Sequence, residues 1–102
     1  MNALPHLLAF DGFLDISRYP DFRTAFVDVP ADRPVLVDLT ASTGVDSTFL
    51  SELLMLRRRH AAGLAVLIPV QGTVREMFLL AGLGRRLDVF TDRAEAEASL
   101  RG

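Results

Sequence analysis

The stretch Val35–Arg59, VLVDLTASTGVDSTFLSELLMLRRR, decides how the rest of the chain is read. Val35 to Leu39 is a short, almost continuous run of branched apolar residues introduced by Pro34, the pattern of a strand covered on both faces. A polar segment, Thr40 to Val45, predicts a loop. Asp46, Ser47 and Thr48 then offer capping oxygens to a helix whose apolar positions are Phe49, Leu50, Leu53, Leu54 and Leu56. Arg57, Arg58 and Arg59 close that helix, where positive charge complements the negative end of its dipole. A solvated helix end and a phosphate or partner contact are both compatible with such a run. A buried strand feeding a helix is half of an α/β unit.

The flanking sequence supplies the other units. Upstream, Leu7 to Phe10 and Phe13 to Ile16 read as two short strands joined by an Asp11-Gly12 turn, a hairpin. Pro20 suits the first turn of a helix with an apolar face at Phe22, Ala25, Phe26 and Val29, which Pro30 ends. Downstream, Gly63 stops the central helix and Leu64 to Ile68 is a second buried-strand run. Thr73 and Glu76 have the spacing of a capping box before a helix with Val74, Met77, Phe78 and Ala81 on its apolar side. Leu79 and Leu80 are left over once that side is filled, which predicts a homodimer contact or deeper burial. Val89 and Phe90 form a short edge strand, and Asp92 and Glu95 open a last helix, Arg93 to Arg101, with Ala94, Ala98 and Leu100 inward. The alternation predicts an α/β domain, a mainly parallel mixed sheet of about four to five strands with about four helices.

Composition narrows the chemistry. Of 102 residues half are apolar, enough for one packed core. The absence of cysteine removes disulfides, thiolate nucleophiles and sulfur-ligated zinc, and fits a reducing compartment. No segment approaches the ~20 apolar residues of a membrane span, and the opening MNALPHLLAF has no positive n-region, so a cytoplasmic protein without membrane insertion is expected. With 13 acidic against 11 basic residues there is no electrostatic footprint for nucleic acid. Every basic residue is arginine, which excludes a P-loop lysine, a Schiff-base lysine and a lysine general base.

In open α/β sheets function gathers beyond the carboxyl ends of the strands, here at Thr40 to Thr48, where with Asp38 seven hydroxyls and carboxylates fall within eleven residues. Local capping and turn bonding account for many such hydroxyls and carboxylates. The central helix separates them. Counting roughly 100° per residue from Asp46, the apolar positions centre at roughly 0°, Thr48, Ser51, Met55 and Arg59 fall between roughly 140° and 220°, and Ser47 lies at the boundary. An exposed methionine beside an exposed hydroxyl suggests a docking ridge. An enzyme using Asp38 or Asp46 with a nearby hydroxyl is disfavoured: there is no GxSxG elbow, and His6 and His60 have no metal-ligand spacing and read as surface residues. Neither a catalytic residue, nor a metal, nor a cofactor is expected.

The same stretch resembles the central segment of STAS domains, the family shared by sulfate transporters and bacterial anti-sigma factor antagonists, in which an aspartate-serine-serine/threonine group opens the second helix. Gly12 to Asp15, GFLD, is similar to the family's early glycine and aspartate turn, and VREMFLLAGLGRRLDVFTDRAEAEASL to its last two helices, with AGL at Ala81 to Leu83. The likeness runs from Leu7 onward and implies a single STAS domain over residues 1–102. Two departures stand out: Phe49, Leu50 and Ser51 occupy the place of a glycine-leucine-glycine turn, and the N-terminal strand region is short. The resemblance implies a partner switch that binds an anti-sigma factor/serine-threonine kinase, with Thr48 as the phosphorylated residue and Ser47 as second choice. It implies partner contacts at Asp15, Asp46, Ser47, Thr48, Ser51, Met55 and Arg59. The alternative it carries is an accessory subunit docking on the ATPase of a lipid-transporting ABC system.

Overall fold

The structure, a computed structural model, describes residues 4–101. In chain order the strands are β1 (His6–Leu14), β2 (Val35–Val45), β3 (Leu64–Leu67) and β4 (Asp88–Phe90), and the helices α1 (Tyr19–Val27), α2 (Ser47–Arg59), α3 (Thr73–Leu80) and α4 (Arg93–Ser99). Short 3-10 turns at Ile16–Arg18 and Leu83–Arg85 precede α1 and β4. The strands form one sheet in sequential order, and every neighbouring pair is parallel. Among the described residues no helix is long and apolar enough to cross a membrane.

The N-terminal hairpin does not form. Leu8, Phe10 and Leu14 alternate onto one buried face, and burying all three needs a continuous strand, so β1 runs straight through Asp11-Gly12. Gly12 takes a positive φ of 68° without reversing the chain. The irregularity is instead taken up by β2: Ala9 faces Asp38 but Asp11 faces Ala41, and Gly12 faces Ser42 but Phe13 faces Gly44. The expected loop Thr40 to Val45 is therefore strand, bulged twice. Ser42 pins the irregular part, its buried hydroxyl lying 3.0 Å from the carbonyl of Gly12 and 3.1 Å from that of Gly44.

The main core lies between one sheet face and α1, α2 and α3. Its centre is a group of four phenylalanine rings, Phe10 from β1, Phe22 and Phe26 from α1, and Phe49 from α2, with Phe49 5.1 to 5.7 Å from the other three centroids. Edge-on and tilted contacts of this kind add to the area the rings bury. A smaller cluster, Leu36, Ala65, Leu67 and Ala96 with Phe90 and Leu100, lies under α4 on the opposite face. β2 and β3 are thus covered on both sides, whereas Leu7, Ala9, Asp11 and Phe13 of β1 are exposed.

Three further expectations are corrected. Thr73 and Glu76 form no capping box: Gly72, at φ 106°, is the N-cap of α3, and the Thr73 hydroxyl donates to the Thr43 carbonyl at 2.6 Å. In α4, Ala96 and not Ala94 or Ala98 faces inward: the helix packs on β3 and β4, and at about 100° per residue Ala94 and Ala98 fall on the side away from Ala96. Leu79 and Leu80 are exposed, so they are not core.

Candidate functional site

β1 and β2 end together, Leu14 opposite Val45, and the ladder continues for one more bond from Asp46 N–H to the Leu14 carbonyl at 3.1 Å. The chain then turns into a helix from each strand, with an aspartate at each start. Asp15 Oδ1 accepts from the Ser17 N–H at 3.0 Å and from the Ser17 hydroxyl at 2.5 Å. Asp46 caps α2 by accepting the Phe49 N–H on Oδ1 at 3.0 Å, and its Oδ2 accepts the Ile16 N–H at 3.1 Å. One carboxylate thus satisfies an orphan donor of α2 and ties the end of β1 to it. Both its oxygens are engaged, which makes Asp46 a positioning group and a poor candidate for acid-base work.

The expected contact residues fall into groups. Asp15, Asp46, Ser47 and Thr48 are brought together at this corner. Ser51 and Met55 continue from it along the exposed side of α2, Met55 being 48% exposed. The buried face is rotated from the sequence reading, because Glu52 belongs to it and Leu54 is only half-buried. In consequence Ser47 is exposed and Thr48 half-buried. Neither hydroxyl bonds to another described side chain or backbone group. Arg59 leaves the ridge: its guanidinium donates to the Phe26 carbonyl at 3.2 Å, at the end of α1. Phe49 is fully buried and does not screen Thr48.

Sequence reading missed two kinds of residue. Glu52, 9% exposed, accepts from the Tyr19 hydroxyl and from Arg23, each at 3.1 Å, and so clamps α1 to α2. Counting only apolar positions hid it, although the helical period places it beside Phe49 and Leu56. Phe13 and Ile16, assigned to a hairpin strand, are 52% and 63% exposed and flank Asp15. The Phe13 ring lies over Gly44, where any Cβ would come within 2.5 Å of it. Exposed large apolar side chains clustered at a helix start are the composition of a contact surface.

The groups considered for catalysis are otherwise occupied. Asp38 Oδ1 accepts both the backbone N–H and the hydroxyl of Thr40, and Oδ2 lies 3.8 Å from Arg93. His60 is buried, not on the surface, with Nε2 2.5 Å from the Arg33 carbonyl, a bond its nitrogen must donate. A cleft of about 340 Å³ lined by Ile68, Phe78, Leu79, Val89 and Phe90 includes none of the expected contact residues. Among the described residues no cluster of histidines and carboxylates could hold a metal.

No family model matches the sequence, and no curated protein matches it. Solved structures do match. The chain superposes on an anti-sigma factor antagonist from Mycobacterium paratuberculosis with a TM-score of 0.79 at 20% identity, covering 94% of this chain and 85% of that one. It superposes equally, TM-score 0.79 at 17% identity, on a Thermotoga maritima protein described as an anti-sigma factor antagonist, covering 94% of this chain and 86% of that one. At such identities the likeness establishes architecture alone, and that architecture is the STAS fold.

Proposed function

We propose that this domain is an anti-sigma factor antagonist, a cytoplasmic partner-switching protein that binds an anti-sigma factor with serine-threonine kinase activity through the start of α2. The observation that carries the reading is the corner itself. Ser47 and Thr48 open a helix capped by Asp46, the same carboxylate holds the Ile16 N–H, Ile16 and Phe13 are exposed at the end of β1, and Ser51 and Met55 follow on the exposed side of α2. Apolar side chains supply contact area, and a hydroxyl in their midst supplies a control point. The fold, shared with solved antagonists, supports the reading without carrying it.

The switch acts on the surface and leaves the fold intact. A phosphate on Thr48, the position the resemblance favours, adds about two negative charges next to Asp46 and Asp15. Helix N-termini tolerate anions, so α2 stays folded, while an acidic or apolar partner surface is repelled and has to desolvate a dianion. The domain contributes no catalytic group: ATP and its metal are held by the kinase, and the hydroxyl is the substrate.

The test is affinity capture from the native cytosol with wild type, Thr48→Ala, Thr48→Glu and Ser47→Ala, with bound proteins and phosphosites identified by mass spectrometry. The expected result is an anti-sigma kinase retained by wild type and Thr48→Ala, lost with Thr48→Glu, and phosphate on Thr48. Phosphate on Ser47 instead would move the switch one residue toward solvent. Capture of an ABC-transporter ATPase subunit, with neither hydroxyl ever modified, would replace the proposal with the accessory-subunit role.

A further inference from the structure

β1 is an edge strand: it pairs with β2, and among the described residues no strand lies on its other side. In an extended strand successive residues direct their N–H and C=O groups alternately to the two edges. His6 donates its N–H to the Pro34 carbonyl at 2.7 Å, so the even-numbered residues address β2. The extra residues of the irregular ladder belong to β2, and the alternate burial of Leu8 and Phe10 keeps one phase along β1 as far as Asp11. The odd-numbered residues therefore offer their backbone groups to the open edge, and the contact from Arg18 Nη1 to the Asp11 carbonyl is made on that side.

The open run is short and bounded. At one end Pro5 has no N–H, and its carbonyl accepts Arg33 Nη2 at 3.3 Å. At the other the Asp11 carbonyl is taken by Arg18, which also lies 3.6 Å from the Asp11 carboxylate. Between them Leu7 and Ala9 are exposed, and no acidic or arginine side chain interrupts the segment. Protein edges are normally blunted by such charges.

We propose that this edge is a self-association surface, on which a second copy of the chain adds its β1 antiparallel with Leu8 on the two-fold axis. Leu7 then faces Ala9 of the partner subunit, and Ala9 faces Leu7 of the partner subunit, each pair exchanging both backbone hydrogen bonds. The choice of a second copy rests on register. In this alignment Pro5 falls opposite Asp11 of the partner subunit, so the position lacking a donor meets the carbonyl that Arg18 has already satisfied. Sliding to put Leu7 opposite Leu7 of the partner subunit sets Pro5 against the open carbonyl of Ala9. Sliding the other way, to Ala9 on Ala9 of the partner subunit, sends the Leu7 N–H to the occupied Asp11 carbonyl. The contact is isologous, uses the same edge of both copies and closes at a dimer.

The experiment is sedimentation equilibrium on the intact chain up to roughly millimolar concentration, a range that reaches weak dimers. Wild type is expected to approach twice the monomer mass. Leu7→Lys/Ala9→Lys, which places like charges across the pairing at two exposed positions, is expected to remain monomeric with an unchanged circular dichroism spectrum. A mass that stays monomeric for wild type, or a dimer equally strong in the double lysine variant, overturns the proposal. Register is read separately, since the chain has no cysteine of its own. Mixing the Leu7→Cys and Ala9→Cys proteins should give a disulfide-linked heterodimer under mild oxidation, because directly paired Cα atoms lie about 5.5 Å apart. Like-with-like crosslinks, two residues out of step along the strand, should form more slowly. Equal rates, or no crosslink in the mixture, reject the register whatever the lysine variant does.

Discussion

Ile16 and Asp46, thirty positions apart in sequence, are joined by a 3.1 Å hydrogen bond from the Ile16 N–H to Asp46 Oδ2, while the other oxygen of the same carboxylate caps α2. Removing the side chain should therefore do more than uncap a helix. Asp46→Ala is expected to lower unfolding free energy by about 2 kcal/mol, the upper end for an N-cap, and Asp46→Asn, which keeps one acceptor, by about half of that. Urea denaturation at neutral pH checks both values, and an Asp46→Asn protein as stable as wild type would mean that the bond to Ile16 contributes nothing.

Glu52 holds Tyr19 and Arg23 in a largely buried clamp. Glu52→Ala is expected to destabilise by about 2 kcal/mol, the range for hydrogen bonds to a charged group, chiefly through the Tyr19 hydroxyl, since Arg23 is 41% exposed and can turn to water. In a double-mutant cycle with Tyr19→Phe the two losses should fall short of additivity by about 1 kcal/mol.

Gly44 meets the Phe13 ring so closely that a methyl group there must displace it. Phe13 is half exposed and can swing away, so Gly44→Ala is expected to cost only about 1 kcal/mol. In a Phe13→Ala background that loss should vanish. A loss that persists would show that the backbone of β2 yields in place of the ring.

His60 supplies a donor to the Arg33 carbonyl from a buried position. His60→Leu removes it and is expected to lower stability by about 1–3 kcal/mol, the penalty for an unpaired buried polar group. His60→Gln retains a donor and should recover part of that loss in the same denaturant titration.

For the proposed partner contact, Phe13→Asp and Ile16→Asp each place a charge on an exposed apolar anchor. Each is expected to weaken partner binding by tenfold or more, about 1.4 kcal/mol, with little change in melting temperature. Isothermal titration with the captured partner reads the affinity, and a Val27→Asp control, exposed on α1, should leave it unchanged.

Local periodicity and non-local burial account for what the sequence revealed and what it hid. The strand at Val35, the apolar stripe of α2 and the order of alternating elements follow from spacing within single segments. The DSTF helix start was likewise visible, since Asp46 caps α2 through its own neighbour three residues on. The hairpin reading failed because Asp11-Gly12 is a local turn signal, overruled by the need to bury Leu8, Phe10 and Leu14 on one face. Thr40 to Val45 looked like a loop because bulged strands tolerate polar residues whose bonds, such as those of Ser42 to Gly12, close across the sheet. Glu52 was overlooked for the same reason: its partners Tyr19 and Arg23 lie on another helix, and no window of sequence contains them all.

The clamp at Glu52 has an optical consequence. The chain contains one tyrosine and no tryptophan, so emission excited at wavelengths beyond phenylalanine absorption comes from Tyr19 alone. That ring stands edge-on to Phe22 at 5.5 Å and donates its hydroxyl to Glu52, and its environment therefore reports on a single seam, that between α1 and α2. Any event at the start of α2 that rotates or loosens the helix should be readable in the unlabelled protein as a change in the emission of one residue.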